Sequence, residues 1–86
     1  MTDHYTLSPS RIVMYTTQFC PDCLRAKKFF EVNNIPYLNI GLEGNQEAIQ
    51  FVMKINNGNR SVPTIIFPDG TVFVEPSWEE LKKKFD

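Results

Sequence analysis

Apolar positions along the chain form four short β-prone runs and three stretches with helical spacing. The first run, Arg11 to Thr16, is almost continuously apolar, which is typical of a strand buried on both faces. Further strands are predicted at residues 36–40, 64–67 and 71–75. Helices are predicted from Pro21 to the Asn33-Asn34 pair, from about Asn45 to Ile55, and from Trp78 to Phe85.

The signals between these elements predict how they connect. Gly58 is expected to be the left-handed residue that ends the second helix, and Pro68-Asp69-Gly70 a tight turn between antiparallel strands. The strand–helix–strand start predicts a parallel pair with a right-handed crossover. The class is therefore α/β, a four-stranded mixed sheet with three helices in the order β-α-β-α-β-β-α. Residues 1–10 are expected to be a flexible N-terminal segment, followed by one domain over residues 11–86.

Composition and charge exclude several classes of function. A net charge of −1 gives no electrostatic basis for binding nucleic acid or an anionic membrane. The basic run Lys82-Lys83-Lys84 fits a solvated last helical turn. No stretch reaches the roughly 18 apolar residues of a membrane span, and the N-terminus lacks the pattern of a signal peptide. We therefore expect a cytoplasmic monomer that binds neither nucleic acid nor a membrane.

The two cysteines, Cys20 and Cys23, are separated by only two residues. A disulfide across so short a loop restricts the unfolded chain little, so redox chemistry or metal binding is the better explanation. A structural zinc site needs four ligands, usually cysteine and histidine, and besides the pair the chain has no further cysteine and a single histidine, His4. An iron–sulfur cluster shared by two chains is chemically possible. No metal ligand is assigned, and no bound cofactor is expected.

The spacing of the cysteines suits thiol–disulfide exchange. At the start of a helix, Cys20 meets unpaired N–H groups and the positive end of the helix dipole, which favour the reactive thiolate. Cys23 lies on the next turn, deeper and on the same face, so Cys20 is expected to attack and Cys23 to resolve. The charge of Asp22 should oppose thiolate formation and make Cys20 less acidic than with a neutral neighbour. Asp22 can equally be an ordinary acid at a helix N-terminus.

Two motifs resemble the glutaredoxin family, and the similarity covers about residues 11–85. They are Tyr15-Thr16-Thr17-x-x-Cys20-Pro21-x-Cys23, with the Leu-Arg-x-Lys helix that follows, and Ser61-Val62-Pro63-Thr64-Ile65. The mycoredoxin-like glutaredoxins are most similar, through Thr16-Thr17, Asn57 to Thr64, and Asp69-Gly70 leading to Pro76-Ser77. The resemblance implies a thioredoxin fold and a thiol–disulfide oxidoreductase active in electron transport and cell redox homeostasis.

The resemblance also implies roles for individual residues. Pro63 matches the cis-proline that faces the active site, and Val62 offers backbone groups to an extended thiol substrate. Without the resemblance, Pro63 would indicate only the start of an edge strand. The other implied substrate contacts are Thr17, Phe19, Pro21, Asp22, Arg60, Ser77, Trp78 and Glu79. Among these, Trp78 is more often a packing residue, and Arg60 can bind a carboxylate or simply be a solvated loop cation.

Two departures from the family bear on the reductant. Thr17 replaces the lysine, and Pro76-Ser77 the Gly-Gly pair, with which glutathione-type members bind glutathione; mycothiol or another low-molecular-weight thiol becomes more plausible. The expected reaction is reduction of mixed disulfides between proteins and such a thiol. One alternative is a thioredoxin-like dithiol reductase acting on disulfide-bonded proteins and supplied by a flavin disulfide reductase. Another is an iron–sulfur cluster carrier, against which Pro21 argues because it stiffens the motif.

Overall fold

A computed structural model describes residues 5–86 and contains the predicted seven elements in the predicted order. The four strands are β1 (Val13–Thr16), β2 (Leu38–Gly41), β3 (Thr64–Ile66) and β4 (Val72–Val74). The three helices are α1 (Pro21–Val32), α2 (Gln46–Ile55) and α3 (Trp78–Lys84). None of the helices in residues 5–86 is long and apolar enough to cross a membrane.

The strands form one mixed sheet in the order β2-β1-β3-β4. β1 pairs parallel with β2 and antiparallel with β3, and β4 lies antiparallel at the edge, which confirms the predicted architecture. All four residues of β1 are buried, as expected of a central strand. Because side chains alternate along a strand, Val13 and Tyr15 pack in the α2 layer, and Met14 packs with α1 and α3 on the other face.

Most strand boundaries shift by one or two residues from the prediction, and three of these shifts have a local cause. β2 begins at Leu38, not at Pro36, because Pro36 has no N–H to donate, and the ladder opens with the bond from Leu38 N–H to the Ile12 carbonyl, 2.8 Å. β1 accordingly begins at Val13, its register partner. β4 ends at Val74 because Glu75 adopts a left-handed backbone, with φ 51°.

Asparagine, and not glycine, supplies the first left-handed residue beyond two helices. Asn57, with φ 56°, follows the last turn of α2, and the next N–H, from Gly58, reaches back to the Met53 carbonyl at 2.7 Å. Gly58 also has positive φ, but Asn57 occupies the position predicted for Gly58. Asn34, with φ 55°, ends α1 in the same way. Asparagine tolerates this conformation better than other non-glycine residues.

Side-chain contacts fix the start of α3 and join its last turn to the C-terminal hairpin. Ser77 begins α3 as a capping box: its hydroxyl accepts from the Glu80 N–H at 3.1 Å, and the Glu80 carboxylate accepts from the Ser77 N–H at 2.8 Å. Lys84 is not merely solvated, since its Nζ lies 2.6 Å from the Asp69 carboxylate and 5.0 Å from the centre of the Phe67 ring. This lysine ties the end of α3 to the turn.

The part of the N-terminal segment that the structure describes includes one anchor in the core. The Tyr5 ring packs 6.3 Å from that of Tyr15 and 5.7 Å from that of Phe51. Tyr5 also lines an apolar cavity of about 760 Å³ whose walls include neither cysteine. Residues 1–4, and with them His4, lie outside the described residues, and the flexibility of residues 1–10 stays a prediction.

Replacing Phe30 with Ala is expected to destabilise the domain by about 3–5 kcal/mol, because the ring is fully buried between the sheet and two helices. Val32→Ala is the matched control, since Val32 lies on the same helix with 56% of its surface exposed; it should change the free energy of unfolding by less than about 0.5 kcal/mol. Urea unfolding measures both. Equal effects in the two variants would contradict the burial of Phe30.

Candidate functional site

Cys20 caps helix α1 with its sulfur. It is the N-cap residue, with an extended backbone (φ −116°, ψ 103°), and Pro21 follows as the first helical residue. The Cys23 N–H donates to Cys20 Sγ at 3.1 Å, a place usually taken by a side-chain oxygen. A thiolate at this position would receive that bond and the positive end of the helix dipole.

The two cysteines are joined and unequally exposed. Cys20 and Cys23 form a disulfide with their Cα atoms 5.2 Å apart, within the ordinary range for such a bond. Cys20 is partly exposed, whereas Cys23 has only 1% of its surface accessible, as expected from its deeper position. An external sulfur can therefore approach Cys20 but not Cys23. Among residues 5–86 no group of three or more potential metal-ligating side chains comes together.

The loop before β3 forms the wall opposite the helix. The Val62–Pro63 peptide bond is cis, as the family resemblance implied, and the Val62 carbonyl oxygen lies 4.0 Å from Cys20 Sγ. Pro63 is buried, and its carbonyl accepts from the Glu75 N–H at 2.9 Å. The backbone of Val62 is thus held beside the sulfur, where a substrate chain could pair with it.

Asp22 has an ionic partner on its own helix. The Arg25 guanidinium lies 2.8 Å from the Asp22 carboxylate, one turn further along α1. Both side chains are about 40% exposed, so the pair adds little stability. It does place a positive charge beside the carboxylate that is predicted to oppose a thiolate at Cys20, and that charge would offset part of the predicted effect.

The loop that delivers Cys20 is tied to the loop after β2. The backbone N–H of Gln18 donates to the Glu43 carboxylate, and the Leu42 N–H donates to the Thr16 carbonyl at 2.9 Å. The Gln18 N–H lowers the pKa of the Glu43 carboxyl, and Lys27 adds to the shift. Between these bonds and Cys20, Phe19 adopts a left-handed backbone, with φ 57°.

The structure places some predicted site residues beside the cysteines and gives others a structural role. Thr17, Phe19 and Pro21 flank Cys20 along the chain, and Arg60 is exposed in the loop that leads to Val62. Ser77 caps α3, and Trp78 packs edge-to-face on Phe29 with ring centres 5.1 Å apart, which is the packing role that the sequence also allowed. Glu79 is exposed in the first turn of α3. Substrate contacts by these residues stay predictions.

Sequence reasoning missed three residues around the site. Arg25 had a usable signal, since an acid and a base three residues apart on a helix are neighbours. Glu43 could have been found from the parallel pairing of β1 with β2, because the ends of parallel strands meet at one edge of the sheet. Glu75 had no signal, since nothing in its side chain predicts a left-handed backbone.

The family model and the named relatives indicate one family, and a solved structure shares the fold. The glutaredoxin family model matches residues 12–73. A Mycobacterium tuberculosis protein named as a glutaredoxin is 42% identical over 73 residues, 85% of this chain and 87% of that protein. Mycoredoxin 1 of Corynebacterium glutamicum is 32% identical over 77 residues, 90% of this chain and 95% of its own. The crystal structure of a mutant thioredoxin-like protein, 25% identical, superposes with a TM-score of 0.76 over 88% of this chain and 100% of that one.

In the reduced protein, iodoacetamide is expected to alkylate Cys20 rapidly at neutral pH and Cys23 only slowly. The Cys20 sulfur is partly exposed at the helix end, where a thiolate would be stabilised, whereas Cys23 is shielded from solvent. Mass spectrometry of peptides over a time course measures both rates, and the same course in denaturant is the control, where the two rates should converge. Faster modification of Cys23 in the folded protein would contradict the site geometry.

Replacing Glu43 with Gln is expected to weaken the loop tether in a pH-dependent way. Because the folded protein holds the pKa of Glu43 below its ordinary value, the stabilisation is complete above the unfolded-state pKa and is lost as the pH falls through the folded-state pKa. The difference in urea midpoint between wild type and Glu43→Gln should therefore shrink from neutral to strongly acid pH. A constant difference across the series would rule out this charge-dependent tether.

Proposed function

This chain is a thiol–disulfide oxidoreductase of the glutaredoxin family with a thioredoxin-like fold, and from that premise we propose that it reduces mixed disulfides between proteins and a low-molecular-weight thiol. Cys20 is the proposed nucleophile and Cys23 the resolving cysteine. The observation that carries the proposal is the position of Cys20 Sγ, capped by the Cys23 N–H at 3.1 Å and 4.0 Å from the Val62 carbonyl.

Each step of the proposed cycle exchanges one disulfide for another. The Cys20 thiolate attacks the small-thiol sulfur of the mixed disulfide. A disulfide forms between Cys20 and the small thiol, the original disulfide breaks, and the partner protein leaves as a thiolate that takes a proton from solvent. A second small-thiol thiolate then attacks the small-thiol sulfur bonded to Cys20; the Cys20–sulfur bond breaks, the symmetric small disulfide is released, and the Cys20 thiolate is restored. Alternatively, Cys23 attacks Cys20, releases the small thiol, and forms the Cys20–Cys23 disulfide.

Two departures from glutathione-type members favour mycothiol or a similar thiol as the reductant. Thr17 has no positive charge to pair with a glutathione carboxylate. Pro76-Ser77 takes the place of the Gly-Gly pair, and Ser77 is already occupied in capping α3. The relative in Corynebacterium glutamicum that is named mycoredoxin 1 supports the same choice. Glutathione remains the alternative reductant.

A second candidate is a dithiol protein disulfide reductase, with electrons supplied by a flavin disulfide reductase. The observation that favours it is the Cys20–Cys23 disulfide itself, which is the oxidised end state of that route.

For either route we propose a monomer in the cytoplasm, where small thiols keep cysteines reduced. Thiolated or disulfide-bonded proteins are the proposed partners.

A Cys20→Ser variant is expected to lose at least about a thousandfold in activity on a peptide–mycothiol mixed disulfide, because no other sulfur can attack. Cys23→Ser should keep activity of the same order as the wild type, since a second small thiol can clear Cys20. Turnover is followed by release of the free peptide thiol. Loss of all activity in Cys23→Ser would overturn the monothiol route and favour the dithiol one.

To identify the reductant, the same peptide is prepared as a mixed disulfide with mycothiol, with bacillithiol and with glutathione. Each substrate is then assayed with the corresponding free thiol as the reductant. We expect the mycothiol pair to give the highest kcat/KM. Thioredoxin reductase with NADPH and no small thiol is the comparison for the dithiol route. Turnover with that reductase alone would favour the second candidate.

A further inference from the structure

Phe19 is an aromatic residue whose side chain is exposed to solvent. Its surface is 96% exposed, the highest value among the large apolar residues in the part of the chain the structure describes. A single exposed apolar side chain is ordinary on a protein surface. This one, however, directly precedes Cys20, the proposed nucleophile, along the chain.

The backbone of Phe19 is also in an unfavourable conformation. Its φ of 57° is left-handed, a region that residues other than glycine and asparagine rarely adopt. Asn34 and Asn57 use positive φ to end helices, but Phe19 ends no helix, and its exposed ring gains nothing from burial. Such strain persists only where the surroundings impose it, and it is concentrated at functional sites.

The surroundings that impose it are bonds made by the neighbouring residues. Gln18 is tied to Glu43 through its backbone N–H, and Cys20 is fixed as the cap of α1. With both ends held, the residue between them must reverse the chain direction. The ring is therefore directed outward by the loop and not by contacts of its own.

Two further exposed apolar side chains lie on the helix side of Cys20. Pro21 is exposed at the first helical position, and Leu24, 63% exposed, follows one turn later with its N–H bonded to the Cys20 carbonyl at 3.0 Å. Helical side chains lean toward the N-terminus, so Leu24 covers the turn that contains Cys20 and Pro21. Phe19, Pro21 and Leu24 together form what we call the apolar collar.

We infer that the apolar collar binds the protein half of the mixed disulfide, selecting cysteines flanked by apolar residues, with Phe19 as the specificity-determining residue. This inference rests on the proposed function and deepens it. The partner chain is still bonded to the small-thiol sulfur while Cys20 attacks, so its flanking residues must lie within reach of the collar. The other wall, at Val62 and Pro63, is left for the small thiol.

The chemistry of the two halves supports this division. A low-molecular-weight thiol such as mycothiol is strongly polar and gains little from exposed aromatic and aliphatic carbon. An apolar side chain in the partner protein removes surface from water on both sides when it packs on the collar. Because the contact exists only while the mixed disulfide is bound, its effect falls on kcat/KM.

The test uses two peptides that carry the same small thiol on one cysteine, flanked by Leu in one and by Ser in the other. The wild type should reduce the Leu peptide with a kcat/KM about tenfold higher, the scale of one apolar contact in the transition state. In Phe19→Ala this preference should fall to near unity, through slower reduction of the Leu peptide. Phe19→Tyr should keep the preference, and so should Val32→Ala, the matched control with an exposed apolar residue away from the site.

Each other outcome overturns a defined part of the argument. If wild type reduces both peptides equally, or if Phe19→Ala keeps the preference, the collar inference fails while the proposed function stands. If wild type reduces neither peptide, the proposed function fails and the inference falls with it. A dimer in sedimentation that is lost in Phe19→Ala would assign the collar to a second copy of this chain and overturn the inference.

Discussion

The site depends on a sulfur atom that caps a helix. Cys20 Sγ accepts the bond from the Cys23 N–H that a serine or aspartate oxygen accepts in other helices. This fixes where α1 begins and keeps Cys20 at the edge while Cys23 is buried. The loop at Val62 then needs only to lie opposite, 4.0 Å from the sulfur, to make a groove.

The order and type of all seven elements follow from hydrophobic spacing, because each element buries one face or stripe that its sequence period marks. The exact ends of the elements are harder to predict, since they depend on single backbone hydrogen bonds. Pro36 has no N–H with which to begin the strand pairing, and Asn57 takes the left-handed position expected for Gly58. The cysteine pair was evident from spacing. Glu43 was not, because its contact with the Gln18 backbone is created by strand pairing.

Backbone strain in the described residues is distributed in an informative way. Four residues other than glycine have positive φ; Asn34 and Asn57 end helices, where asparagine is suited to the task. The other two, Phe19 and Glu75, lie on opposite sides of the cysteines, one before Cys20 and one bonded to the Pro63 carbonyl. The two residues least suited to a positive φ therefore lie beside the groove, which is the usual pattern at functional sites.

The charges around the helix end also bear on the reduction potential of the cysteine pair. Any interaction that favours the Cys20 thiolate stabilises the reduced pair and makes the protein a weaker reductant. The cap and the dipole are expected to act in that sense, and the Asp22 carboxylate in the opposite one, moderated by its ion pair with Arg25. If Asp22 opposes the Cys20 thiolate, as its charge predicts, it makes the reduced pair a stronger electron donor and Cys20 a less acidic nucleophile.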